Sequence, residues 1–163
     1  MPNLAGHIKD IIDCCGLPHH YIEIELTESA FFDDKQALLS TVNELKQYGF
    51  EVSMDDFGAG YSSLNSLKDL PLDVLKLDAD FFRGDNANDP RSRVVVYEAI
   101  KLAKSLNMRV VAEGIEQKEQ VEILAGMGCD MIQGYYFAKP MPASEYVNRM
   151  QMKTVQEDEK VIV

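Results

Sequence analysis

Apolar and polar positions along this chain follow two periods, one of two residues and one of about 3.6, and the pattern switches repeatedly between them. Such switching predicts consecutive strand-helix units with a parallel sheet rather than segregated sheets and bundles. A first helix is expected over about Asn3 to Cys15, with Leu4, Ile8, Ile11, Ile12 and Cys15 on its inner face and Gly16 as its stop. A strand over 21–26 follows, with Ile22, Ile24 and Leu26 on one side and Glu23 and Glu25 on the other. The next helix runs from about Asp34 to Tyr48, with Leu38, Val42 and Leu45 inward and Gly49 ending it. A strand near 51–55, a short helix over 62–70 closed by Pro71, and a strand over 73–78 come next. After the polar loop Gly84 to Pro90, a long amphipathic helix is expected from about Arg91 to Asn107, with Val95, Ala99, Leu102, Ala103 and Leu106 facing inward. A fourth strand over 109–113, a helix over 118–127 stopped by Gly128, a fifth strand near 130–133 and a last helix from an N-cap at Ser144 to Met152 complete the series. The boundaries expected are one domain over 1–155 and a tail over 156–163, charged and then apolar, frayed or pinned by a neighbour.

Composition narrows the function classes. The chain has 163 residues, enough for one domain with a real core, and 46% of them are hydrophobic, which argues against disorder. The formal charge is −11, with no cluster of Lys or Arg. That field repels nucleic-acid polymers and anionic bilayers, so neither is expected as a partner. No apolar run approaches the roughly 20 residues that span a bilayer, and the N-terminus carries no signal-peptide pattern, so a soluble, cytoplasmic protein is expected. The three cysteines, adjacent Cys14 and Cys15 and distant Cys129, form no C-x-x-C pair and suit a reducing compartment as plain thiols.

The chemistry lies in where the acids fall. Strand after strand ends in acidic or amide side chains: Glu25 and Glu28, Asp55 and Asp56, Asp78 and Asp80, Glu113 and Glu116, then Gln133. In parallel α/β architectures this edge is where the βα loops converge and where active sites are built. Acids also favour helix N-termini, but Glu25, Asp55 and Glu113 lie within or at the ends of strands instead. Converging carboxylates need a positive partner, and oxygen ligands without a usable histidine point to a hard divalent cation such as Mg²⁺, Mn²⁺ or Ca²⁺. Consecutive Asp55 and Asp56, at a strand end turning into a loop, could serve two ions about 4 Å apart, the arrangement of two-metal phosphoryl chemistry. Lys76 alternates with Leu75 and Leu77 and so points into the acidic interior, as an electrostatic catalyst or as a structural ion-pair partner.

Local look-alikes fail on context. Asp56-Phe57-Gly58 matches a kinase magnesium triplet, but no His-Arg-Asp segment or Gly-rich phosphate loop accompanies it. Gly58-Ala59-Gly60 lacks the third glycine of a dinucleotide fold. Leu77-Asp78-Ala79-Asp80 has the look of an aspartyl-nucleophile phosphatase segment only locally. His19 and His20 precede the first strand, at the end of the sheet remote from the acids, and read as surface-loop residues.

Five segments in order resemble one family: Glu25-Leu26-Thr27-Glu28-Ser29, Asp55-Asp56-Phe57-Gly58-Ala59-Gly60-Tyr61-Ser62-Ser63-Leu64, Leu75-Lys76-Leu77-Asp78, Val111-Ala112-Glu113-Gly114-Ile115-Glu116, and Gly128-Cys129-Asp130 with Gln133-Gly134-Tyr135. Together they resemble the EAL-domain cyclic-di-GMP phosphodiesterases of bacterial signalling. The resemblance implies a modified (β/α)₈ TIM-type barrel that hydrolyses one phosphodiester of cyclic di-GMP to pGpG with Mg²⁺ or Mn²⁺. It implies Glu25, Asp55 and Asp56 as metal ligands, Asp55 bridging. Lys76 would orient the attacking water or stabilise charge, and Glu113 would act as general base or second-metal ligand. Glu28, Gln133, Asp78 and Glu116 would support the loops and substrate.

The family's Glu-Ala-Leu or Glu-Val-Leu tripeptide and its Asn-x-Ser strand, each supplying a metal ligand, do not occur in this sequence. Five strand-led units against eight, and 163 residues against roughly 250 for a typical barrel, imply a partial α/β barrel of about five parallel strands with its first part missing. The expectation is an isolated chain with an incomplete site, inactive alone or serving as a nucleotide-binding or interaction module. Its open barrel edges would be covered by self-association or domain swapping.

Overall fold

Helix ends set the layout. Helix α1 (Leu4–Cys15) stops at Gly16, α2 (Lys35–Gln47) is followed by Gly49, α4 (Pro90–Ser105) by Asn107 and α5 (Lys118–Gly126) by Gly128, and all four stop residues take positive φ. The reversal there turns each helix back toward the sheet, as the sequence anticipates. The computed structural model describes residues 3–27, 34–58, 64–83 and 89–153. The 156–163 tail and most of the 84–90 loop fall outside them.

Five strands, β1 (Glu23–Thr27), β2 (Glu51–Phe57), β3 (Val74–Leu77), β4 (Arg109–Ala112) and β5 (Met131–Ile132), form one parallel sheet in the order β1-β2-β3-β4-β5. Short α3 (Leu64–Asp69) lies between β2 and β3, and α6 (Ala143–Lys153) closes the described chain. Sequential order with every neighbour parallel is the topology of a barrel wall, so the fold class read from the sequence holds. Alternation then separates two faces. Val52, Met54, Leu75, Leu77, Val110, Ala112 and Ile132 are buried in the hydrophobic core together with Val42 and Leu45 of α2 and Ile100 of α4. The opposite face carries Glu25, Ser53, Asp55, Lys76 and Val111.

Two helices depart in part from their expected phase. In α1 the buried positions are Ala5 and Gly6, and the expected Ile8 and Ile12 pack against the core, while Leu4, Ile11 and Cys15 are exposed. In α4 the expected Ala103 is buried and Ala99 and Leu102 pack against the core, but the stripe is widened to Val96 and Ile100, which are buried, while Val95 is 52% and Leu106 36% exposed. Both misreadings have one cause: each helix has apolar residues on adjacent positions, and periodicity alone cannot choose between stripes about 100° apart. Ser144 lies inside the first turn of α6 rather than capping it, and Pro142 supplies the carbonyl that accepts from the Glu145 and Tyr146 N–H groups. His19 belongs to a 3₁₀ turn (His19–Tyr21) and stacks on Phe50 at 4.6 Å, so it is more than a surface-loop residue.

Candidate active site

The rim at the C-terminal ends of the strands is built around one ammonium. Lys76, in the centre of β3, is only 8% exposed. Its Nζ lies 2.6 Å from Glu25 Oε1, 2.9 Å from Glu113 Oε1 and 3.0 Å from Asp55 Oδ1. These carboxylates come from β1, the end of β4 and β2, so three separate strand units meet on a side chain from a fourth. Burial by itself would lower the Lys76 pKa. The hydrogen bond to Glu25 and the ion pairs with Glu113 and Asp55 outweigh it and hold the ammonium above the ordinary lysine value.

Asp55 and Asp56 point differently because β2 carries an irregularity. Its pairing with β3 passes from Met54 opposite Leu75 to Phe57 opposite Leu77, so the strand has an extra residue there. Asp56 takes φ 56°, a left-handed conformation that Asp tolerates better than most residues. Bulges of this kind re-aim side chains beside active sites. Asp55 turns to Lys76, while Asp56 shares a hydrogen bond with Asp78. Although solvent reaches one side of Asp56, desolvation at the rim raises its carboxyl above the usual range. The negative charges of Asp55 and Asp78 add to this, and Lys76 opposes them. Asp78 also accepts from the Asp80 N–H at 2.7 Å, capping the 3₁₀ turn Ala79–Phe82.

Three carboxylates thus share one ammonium at this rim, with Asp56 and Asp78 beside them. Among the described residues no three His, Cys, Asp or Glu side chains already form a cation cage. The donor set nevertheless fits a hard cation. It is all oxygen, it carries surplus negative charge, and buried Asp55 Oδ1 makes no hydrogen bond of good geometry despite its ion pair with Lys76. Beside the rim lies a trough of about 380 Å³ lined by Glu23, Glu25, Lys76, Val111, Met131, Gln133 and Phe137 among others.

The remaining predicted residues are placed less centrally. Gln133 is exposed on the trough wall, and its backbone carbonyl accepts from Ile115 N–H. Glu116 is exposed, and its backbone N–H donates to Gln120 Oε1 at the start of α5. Glu28 lies outside the described residues. Sequence reading missed Ser53, which is fully buried on the same face as Asp55 with its Oγ unpartnered among the described residues. The period-two spacing from Asp55 was the available signal. It also missed Gly134: a Cβ there would come within 2.1 Å of the Ile115 carbonyl oxygen, so the loops bearing Glu113 and Gln133 can touch only through a glycine.

Comparison with known proteins agrees with this geometry. A family model described as the EAL domain matches residues 1–140. The Escherichia coli K12 cyclic di-GMP phosphodiesterase PdeR is 38% identical over 136 residues, which is 83% of this chain and 20% of that protein. Among solved structures, the Pseudomonas aeruginosa MucR phosphodiesterase in complex with c-di-GMP superposes with a TM-score of 0.82 at 35% identity, covering 89% of this chain and 58% of that one. The manganese/cyclic-di-GMP complex of Klebsiella pneumoniae BlrP1 superposes with a TM-score of 0.79 at 30% identity, covering 86% of this chain and 36% of that one. The chain spans about a fifth of the length of the curated relatives it matches. With the five-stranded wall, the acidic rim and the family match over most of its length in agreement, the chain belongs to the EAL domain family and is a partial EAL domain.

Proposed function

We propose that this chain is a fragment of a metal-dependent cyclic-di-GMP phosphodiesterase, carrying part of the catalytic rim and inactive by itself. The observation that carries the reading is the meeting of Glu25, Asp55 and Glu113 on Lys76. Neighbours solved with cyclic di-GMP support the substrate class. In this reading Glu25, Asp55 and Asp56 hold Mg²⁺ or Mn²⁺ with ligands from the rest of a complete barrel. When bound, such ions lower the pKa of water and neutralise a phosphoryl transition state. Lys76 contributes a fixed positive charge at the reacting phosphate, in a site where desolvation strengthens it. Glu113, which lies 2.9 Å from the ammonium, accepts a proton from the attacking water. Gln133, Asp78, Glu116 and Glu28 support the surrounding loops. The domain acts in the cytoplasm; none of the described helices is long and apolar enough to cross a membrane.

The absence of the two family tripeptide segments favours a second reading for the isolated chain, a nucleotide-binding or interaction module without turnover. The test is incubation of the purified chain with cyclic di-GMP and Mn²⁺, followed by chromatography for pGpG and, separately, by a binding titration. No hydrolysis with measurable binding is expected. Turnover that Asp55→Ala abolishes would show the fragment to be a sufficient enzyme. Absence of binding would remove the nucleotide site from this chain.

A further inference from the structure

Four helix ends use the same backbone device, an N–H bonded back across a positive-φ residue to the carbonyl five positions earlier, and two of the four, after α2 and α4, lead directly into the strands that bring Asp55 and Glu113 to Lys76. At the end of α2, the Phe50 N–H donates to Leu45 O at 3.1 Å; at the end of α4, the Met108 N–H donates to Ala103 O at 2.9 Å. The intervening turn residues, Gly49 and Asn107, both have positive φ. Each turn feeds a strand whose acid precedes another positive-φ residue: Asp55 before Asp56 in β2, and Glu113 before Gly114 after β4. The chain therefore builds two of the three acidic partners of Lys76 with one repeated helix-turn-strand unit.

An aspartate brackets the base of each unit. Asp73, just before β3, accepts the Val52 N–H on Oδ2 at 2.9 Å and returns its own N–H to Val52 O at 2.8 Å. Its other carboxylate oxygen is paired with Lys46 in the last turn of α2. Asp130, just before β5, does the same to Val110: it accepts that N–H on Oδ2 at 2.7 Å, donates to Val110 O at 3.2 Å, and pairs with Lys104 in the last turn of α4. Each aspartate takes both backbone groups of one strand residue and ties them to the helix that precedes it.

The brackets matter because the ladders they extend are short. Strand β5 pairs with β4 only through Val111 opposite Met131 and Ala112 opposite Ile132, and the pairing of β2 with β3 is broken by the bulge. A slip of one residue between β2 and β3 would turn Asp55 away from Lys76, and one between β4 and β5 would carry Gln133 away from the loop of Glu113. We propose that Asp73 and Asp130 are positioning residues, one clamp used twice: Asp73 fixes β2 against β3 and so holds Asp55 at the height of Lys76, and Asp130 fixes β4 against β5 and so holds the Gln133 loop against the loop of Glu113. The inference deepens the reading of the rim as a cation-holding site, but its first test does not depend on that reading.

The test uses the whole chain with Asp73→Ala and Asp130→Ala, checked for folding by circular dichroism. Neither Asp73 nor Asp130 is a partner of Lys76, whose ammonium pairs with Glu25, Asp55 and Glu113, so the clamps are read through strand register. The first readout is the ¹⁵N–¹H signal of the Lys76 ammonium, which three carboxylates protect from exchange. Asp73→Ala is expected to shift that signal or remove its protection, and to weaken any Mn²⁺ binding roughly tenfold, the usual cost of removing an outer positioning partner. Asp130→Ala is expected to leave the Lys76 signal in place and to speed hydrogen exchange at the Ile115 N–H, which donates to Gln133 O. Val42→Ala, in the core of α2 and away from the clamps, should lower the melting temperature and leave these readouts in place. If an alanine variant does not fold, Asp73→Asn and Lys46→Met apply the same test more gently. A folded Asp73 variant with the parental Lys76 signal would overturn the proposal, as would a folded Asp130 variant with parental exchange at Ile115, or an equal change in Val42→Ala. Failure of the parent chain to bind Mn²⁺ would show that the rim holds a cation only with the ligands of a complete barrel, and the ammonium signal would still decide the clamp.

Discussion

Burial of Lys76 penalises its charge, and three carboxylates hold that charge in place. Replacing it by methionine leaves Glu25, Asp55 and Glu113 crowded with no cation among them. Loss of one partner from a buried ionic cluster is costly, and because Glu25 keeps half its side chain in solvent the expected cost is about 3 kcal/mol, the lower end of that class. Chemical denaturation of Lys76→Met at pH 7 measures it. His19 offers a second test at this scale. Its Nδ1 faces the Tyr48 carbonyl at 2.6 Å and its Nε2 faces Asp13 Oδ1 at 2.8 Å, two acceptors that are both satisfied only by the imidazolium. The Tyr48 carbonyl, and next Asp13, raise its pKa, while burial and nearby Lys9 act against them. Since the folded value lies above the unfolded one, the stabilisation is fully present below about pH 6.5 and is lost as pH rises through the folded pKa. The melting temperature should therefore fall over that interval, and His19→Gln should flatten the dependence. Burial pushes the Cys129 thiol up to about 11, whereas Cys14 and Cys15 are exposed. Alkylation at pH 8 should modify the adjacent pair and spare Cys129, which mass spectrometry of the peptides would show.

At the scale of elements, helix phase and loop contact decide what is tolerated. Val96→Ala should cost about 2 kcal/mol, the cost of deleting two core methyls, and Val95→Ala on the solvent side less than about 0.5 kcal/mol. Equal costs in urea denaturation would contradict the observed phase of α4. The Gly134 contact makes a sharper demand. An added methyl meets backbone rather than a yielding side chain, so Gly134→Ala should destabilise by about 1–3 kcal/mol and separate the loops of Glu113 and Gln133. Hydrogen exchange at the Ile115 N–H, which donates to Gln133 O, would report that separation. The expected strands, helices and inward faces of β1 and α2 were legible because two-residue and 3.6-residue periods are properties of single segments. The phase of α4 was not, because adjacent valines at 94, 95 and 96 leave the choice to the neighbour against which the helix packs.

For the whole molecule, the described sheet has β1 and β5 at its edges, with their outer backbone groups unpaired by any other described strand. In a closed barrel such edges vanish; here they invite pairing with another copy or with the complementary part of a barrel. As part of the reading proposed above, sedimentation of the purified chain is expected to depend on concentration, and a compact monomer at all concentrations would exclude self-association. The acidic end of the barrel wall was legible from sequence because side chains at successive strand ends must gather wherever parallel strands lie side by side. Amino-acid order thus determined five parallel strand-helix units and put their acids at one end, since periodicity and parallel connection leave few other arrangements. Tertiary structure decided which acids touch: the bulge in β2, the left-handed turn at Asp56 and the register between short strands are set by contacts between segments distant in sequence. Those contacts bring Glu25, Asp55 and Glu113 to Lys76 and direct Asp56 to Asp78.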